Sequence, residues 1–178
     1  TGWHTEAAAL KEPIRTTCGA LEDRDFILLQ PLAPRGSAWV PDQIVEWLDG
    51  ILPTLGGDPQ RVVLTGFSMG GIGTWNIACR HPQRFVAFVP LAGVGERAPI
   101  DAVKGRPVWC FHGSHDAMPY GPAEQWIADL KNLDPSADVR FTLLEDTDHA
   151  RTSERVYGRN DLQEWLRRML HPESRDQP

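Results

Sequence analysis

In RVVLTGFSMGGIGTW, residues 61 to 75, an apolar run is followed at once by a serine set among glycines. Val62, Val63 and Leu64 have the aliphatic character of a buried strand. The glycines permit a tight turn, and the residues after them are compatible with a helix. A strand that turns directly into a helix is the repeating unit of α/β proteins.

Short apolar runs alternate with segments of helical period along most of the chain. Five runs are predicted to be strands, at about 25–30, 61–66, 85–91, 107–112 and 138–145. Helices are predicted over 44–52, from 121 to 130 and over 162–170, with a shorter one over 5–10 that ends before Pro13. This alternation predicts an α/β fold: a mostly parallel sheet with helices on both faces.

Composition limits the classes of function. The 178 residues are 41% hydrophobic, enough for one domain, predicted over 1–170 and followed by a polar tail over 171–178. A net charge of −6 disfavours a nucleic-acid partner, and no apolar stretch reaches the roughly 20 residues of a membrane span. The three cysteines lack the spacing of metal ligands, so we interpret them as buried thiols and predict no metal site.

Ser68 is predicted to be a nucleophile. A glycine-rich turn before a helix also binds phosphate, but the stretch lacks both the G-x-G-x-x-G and the P-loop spacing. It has instead the G-x-S-x-G pattern between a strand and a helix. Gly66 and Gly70 remove side chains expected to collide at such a turn, and the backbone N–H of Met69 is aimed where an oxyanion would form.

A serine hydroxyl needs a base and a group that orients the base. In a parallel sheet all strands open onto one edge at their carboxyl ends. Ser68, Asp116 and His149 follow three different predicted strands, so that edge would bring nucleophile, acid and base together. Asp146 and Asp148 are too near His149 in sequence to face it and are interpreted as solvated charges. The remaining histidines are interpreted as exposed, structural or loop residues: His4, His81, His112, His115 and His171.

GFSMGGIGTW, then PVWCFHGSHDAMP, then a histidine after the last strand and a tryptophan-containing terminal helix, resemble the α/β-hydrolase superfamily. Within it, the similarity is to small carboxylesterases, feruloyl esterases and polyhydroxybutyrate depolymerases, and it covers about residues 21–170. The resemblance implies that Trp39 lines the substrate cleft. It also implies an HG-x-G loop that supplies a second oxyanion donor, and this chain has no such loop. Because Thr1-Gly2-Trp3 resembles the stretch after that loop, we expect an N-terminally incomplete hydrolase that lacks its first strands.

The sequence therefore predicts an esterase that cleaves a small-molecule carboxylic ester through an acyl-serine intermediate, with no metal or organic cofactor. The same three residues would also serve a peptidase or a thioesterase, since the motif does not select the leaving group. A hydrolase-like domain that binds a ligand without catalysis is the third alternative.

Overall fold

The computed structural model describes residues 26–31, 38–95 and 99–171. Four strands alternate with five α-helices in the described residues: α1 (Pro41–Ile51), β1 (Val63–Phe67), α2 (Met69–Arg80), β2 (Ala87–Leu91), β3 (Val108–Gly113), α3 (Gly121–Leu133), β4 (Val139–Leu144), α4 (His149–Tyr157) and α5 (Asn160–Leu170). Short 3₁₀ turns lie at Leu52–Leu55, Pro82–Arg84 and Ile100–Val103.

The strands form one parallel sheet in the order β1-β2-β3-β4. The register pairs Phe67 with Leu91 at the carboxyl ends of β1 and β2, and Gly113 with Leu144 at those of β3 and β4. The carboxyl ends are therefore level, and the loops that leave them meet along one edge.

Helices cover both faces of the sheet, as predicted. One buried cluster joins α1, α2 and α3 to the sheet through residues such as Leu48, Trp75 and Ile127. The other joins α4 and α5 to the opposite face, with Trp165 fully buried on the sheet. Side chains along β3 alternate between the two, since Cys110 belongs to the first cluster and Phe111 to the second. This is the period-two alternation of a strand buried on both faces.

The predicted strand over 25–30 is wrong for the described part of that run. Residues 26–31 form no strand and pair with none of β1 to β4. Phe26 and Leu28 pack on the second cluster and Leu29 packs on the first. Packing therefore shelters Phe26, Leu28 and Leu29. In the described residues β1 has a strand neighbour on one side only, and this run does not pair with its other side.

The other four strands and the helices predicted over 44–52, from 121 and over 162–170 are confirmed within a few residues. Cys79 and Cys110 are buried free thiols, and burial raises the pKa of Cys79 to about 11. The predicted helix over 5–10, Cys18, the Thr1-Gly2-Trp3 stretch and residues 172–178 lie outside the described residues. Within the described ranges, no helix has both the length and the apolar character required to span a bilayer.

Candidate active site

Ser68 lies at the turn between β1 and α2 with φ 57° and ψ −117°. A non-glycine residue in such a conformation stores about 1–3 kcal/mol of strain, so surrounding contacts must hold it. The Ser68 N–H donates to Leu91 O at 3.0 Å, and Ser68 O accepts from the Ile72 N–H at 3.0 Å. The turn is fixed between β2 and the first turn of α2, which presents the hydroxyl at the sheet edge.

The glycines around Ser68 have different roles from one another. A Cβ on Gly66 would lie 2.3 Å from Gly70 O, and one on Gly71 would lie 2.3 Å from Leu91 O. Those two permit the sharp turn and the close approach of α2 to β2. For Gly70 the expected collision was wrong, because an added Cβ meets nothing within 4 Å. Gly73 packs under the Trp39 side chain, since a Cβ added to it would lie 2.6 Å from Trp39 Cδ1.

Asp116 lies in the loop after β3 with its side chain only 1% exposed. Its Oδ1 accepts the Met118 N–H at 2.8 Å. His112, at the end of β3, donates from Nε2 to Met118 O at 3.0 Å. The backbone of Met118 is therefore held at both ends, by the carboxylate on one side and by a buried imidazole on the other.

His149 is the first residue of α4, a helix that the sequence did not predict. Asp148 caps this helix, since its Oδ1 accepts the Arg151 N–H at 2.9 Å. The interpretation of Asp148 as a merely solvated charge was therefore incomplete. The Phe67 ring lies beside the imidazole, with 4.7 Å between ring centroids. The strand before Ser68 and the helix start thus fix the ring from two sides.

Arg155, in the second turn of α4, holds the loop between β4 and α4. Its Nη1 donates to Glu145 O at 2.8 Å and also to Thr147 Oγ1. Thr147 is fully buried, and its carbonyl accepts the His115 N–H at 2.9 Å. The loop that leads to His149 is therefore bonded both to its own helix and to the loop that carries Asp116.

The structure brings Ser68, Asp116 and His149 together. His149 Nε2 lies 2.8 Å from Ser68 Oγ, and His149 Nδ1 lies 2.7 Å from Asp116 Oδ2. Because a carboxylate only accepts, Nδ1 carries a proton, and Nε2 of the neutral ring accepts from the serine hydroxyl. This arrangement can take a proton from Ser68 and return it to another oxygen.

Three further histidines of the described residues are not part of this chain of hydrogen bonds. His115 is 67% exposed and lies 4.0 Å from Asp146, and His81 lies on the exposed Asp42 carboxylate. His171 contacts Arg61 at 3.3 Å, and His4 lies outside the described residues. In the described ranges no group of three or more His, Cys, Asp and Glu side chains could hold a metal ion.

Met69 is the first residue of the twelve-residue helix α2, where backbone N–H groups have no partner within the helix. Its side chain is half exposed beside Ser68. Trp39 is packed on Gly73 and the first cluster, and its role in substrate binding stays a prediction. Sequence reasoning missed the supporting roles of Phe67, Met118 and Arg155; only the cap at Asp148 left a readable signal, an Asp directly before a helix.

The profile of the Esterase family matches residues 37–164, which are most of the chain and include Ser68, Asp116 and His149. The chain belongs to this Esterase family. A bifunctional acetylxylan esterase/xylanase of Neocallimastix patriciarum is 24% identical over 119 residues, which cover 62% of this chain and 18% of that protein. The resemblance to the α/β-hydrolase superfamily is confirmed.

Solved structures share the fold. A thermostable esterase superposes with a TM-score of 0.69 at 24% identity, over 76% of this chain and 42% of that chain. A carboxylesterase from Bacillus cereus gives 0.58 at 16% identity, over 80% and 72% of the two chains. S-formylglutathione hydrolase from Staphylococcus aureus gives 0.58 at 19%, over 70% and 59%. This chain therefore spans less than half the length of the first two relatives named, the bifunctional acetylxylan esterase/xylanase and the thermostable esterase.

Proposed function

We propose that the protein hydrolyses carboxylic esters of small molecules by acyl transfer through Ser68. The observation that carries this proposal is the unbroken hydrogen-bond chain from Ser68 Oγ through His149 to Asp116, with contacts of 2.8 and 2.7 Å. Membership of the Esterase family supports the choice of an ester as the bond that is cleaved. The proposal needs no metal or organic cofactor.

The first half of the reaction forms an acyl-enzyme. Ser68 Oγ bonds to the ester carbonyl carbon while its proton passes to His149 Nε2. The tetrahedral intermediate collapses, the carbon–alkoxy bond breaks, and the alcohol leaves with the proton from Nε2. Asp116 keeps Nδ1 protonated and stabilises the imidazolium.

The second half returns the serine. Water loses a proton to His149, its oxygen bonds to the acyl carbon, and the acid leaves as Ser68 recovers its hydrogen. The Met69 N–H stabilises the oxyanion in both halves, a contribution worth about 10²–10³ in turnover for one such donor.

Labelling with a fluorophosphonate probe and turnover of p-nitrophenyl acetate test the proposal together. The wild-type protein should be labelled at Ser68, and Ser68→Ala should lose the label. His149→Ala should lose both label and turnover, and Asp116→Asn should lose about 10⁴-fold in kcat, because the ring is held in the wrong tautomer. His115→Ala is the matched control, since that histidine directly precedes Asp116 in the sequence and its side chain is exposed.

A wild-type protein that neither reacts with the probe nor releases nitrophenol would leave the binding-domain alternative as the better explanation. A panel of peptide and thioester substrates, run with the same variants, separates the remaining alternatives. The esterase proposal requires that the ester be turned over faster than the matching amide.

A further inference from the structure

His112 is a buried polar side chain that the proposed reaction does not use. Its imidazole is fully buried at the end of β3. Nε2 lies 3.0 Å from Met118 O and 3.6 Å from Asp116 Oδ2. Nδ1 is also buried and has no hydrogen-bond partner among the described residues.

The two ring nitrogens fix the state of this imidazole. A carbonyl oxygen only accepts, so Nε2 carries the proton. A second proton on Nδ1 would place an unpartnered donor and a net charge in a buried site, which is costly. Burial also lowers the pKa of His112, which favours the neutral ring, and the nearby His149 adds to this shift. The Met118 carbonyl and the Asp116 carboxylate oppose the shift without reversing it. The ring is therefore neutral, with its hydrogen on Nε2.

A purely apolar ring would fill this volume without leaving a buried nitrogen unpaired, so the imidazole has to be explained by its one hydrogen bond. That bond ends on Met118 O, and the Met118 N–H ends on Asp116 Oδ1. The other oxygen of the same carboxylate accepts from His149. A displacement of Met118 would therefore rotate the carboxylate away from His149.

We propose that His112 is a positioning residue that holds the Asp116 carboxylate against His149 by clamping the backbone of Met118. This inference rests on the proposed function, because it depends on the role given there to Asp116. His112 itself touches neither the ester nor Ser68. It acts through Asp116, and its removal should matter only while that carboxylate is present.

A double-mutant cycle tests this dependence. His112→Phe keeps a planar ring and removes the donor, and should lower kcat and the rate of fluorophosphonate labelling by about 10- to 100-fold, with KM within about two-fold. In an Asp116→Asn background the same change should cost less than about two-fold in labelling rate. His112→Gln, whose amide N–H can replace the donor, should recover part of the loss.

Ser114→Ala is the matched control in the same loop. Its hydroxyl is buried without a hydrogen-bond partner among the described residues, so its removal should leave kcat within about two-fold. A loss with His112→Phe that is equal in both backgrounds, or a loss of thermal stability alone, would overturn the positioning role and leave a packing role.

Nitrogen-15 NMR of the wild-type protein gives a readout that needs neither activity nor a stable His112→Phe variant. The His112 ring should show a protonated Nε2 and an unprotonated Nδ1 from about pH 5 to 8. A protonated Nδ1 would contradict the clamp. A wild-type protein without labelling or turnover would defeat the proposed function instead, and the NMR result would still decide how His112 is bonded.

Discussion

Gly66→Ala should disable the Ser68 turn through one steric contact. The new Cβ would lie 2.3 Å from Gly70 O and 2.5 Å from Gly70 C. Since real Cβ contacts almost never fall below 3.0 Å, the gap must open from 2.3 to at least 3.0 Å, a displacement of about 0.7 Å. Gly70 belongs to the first turn of α2, and its carbonyl also accepts from Thr74 Oγ1 at 2.8 Å, so it cannot move alone.

The displacement has two expected consequences. Forcing a methyl group into a tight contact destabilises a protein by about 1–3 kcal/mol. A shift of about 1 Å between reacting groups can cost about 10²-fold in rate, and here it would open the 2.8 Å contact between Ser68 and His149. We therefore expect kcat for p-nitrophenyl acetate to fall by about 10²-fold, with a smaller fall in stability to urea.

Gly70→Ala is the matched control, because an added Cβ at that position meets nothing within 4 Å. Alanine is favoured over glycine within a helix by about 1 kcal/mol, so this variant should keep its stability or gain some, and should keep its kcat. Wild-type turnover by Gly66→Ala, or an equal loss by Gly70→Ala, would refute the steric reasoning.

Two carboxylates should contribute to stability in different ways. Burial raises the pKa of Asp138, but donors from Arg140 and Trp165 outweigh it and hold that pKa below its ordinary value of 3.8. A lowered pKa stabilises the folded state only while the carboxylate is ionised. By urea denaturation, Asp138→Asn should therefore cost about 1 kcal/mol at pH 7, and progressively less as the pH falls below 3.8 and through the lowered pKa. Asp148→Ala should cost about 1 kcal/mol because it removes the cap of α4. Asp146→Asn, at a side chain 93% exposed, should be neutral in the same measurement. Equal effects of Asp148→Ala and Asp146→Asn would contradict the capping role of Asp148.

Much of the fold could be predicted from the sequence, because its elements have local causes. The apolar run before Ser68 and Gly66 near the end of β1 specify a strand and a sharp turn by short-range sterics. The level carboxyl ends of a parallel sheet then made it reasonable to group Ser68, Asp116 and His149, which do lie in contact. Neither step required knowledge of packing.

The features that escaped prediction depend on partners distant in the sequence. Residues 26–31 have the apolar content of a strand, but they pair with none of the four described strands, and that pairing cannot be read from the run itself. Helix α4 reads HARTSERVY, with few apolar residues, and buries the polar Thr152 and Ser153 beside Val156 and Tyr157. Gly66 and Gly70 look equivalent in the motif. They differ in the structure because a Cβ added to Gly66 would point into the Gly70 backbone, whereas one added to Gly70 would point into open space.

The geometry of the site is determined largely by the register of the sheet. Hydrogen bonds continue the pairing past the strand ends and into the loops: Ser68 N–H to Leu91 O, Ala92 N–H to Phe111 O, and Ser114 N–H to Leu144 O. The loops after β1, β2 and β3 are therefore tied to the next strand at their first residue, which in the loop after β1 is Ser68 itself. A slip of one residue would move a loop by about 3.3 Å and reverse the faces of its strand, which the buried clusters on both sides forbid. The hydrophobic core thus sets the distances among Ser68, Asp116 and His149, and short-range hydrogen bonds such as that from His112 only refine them.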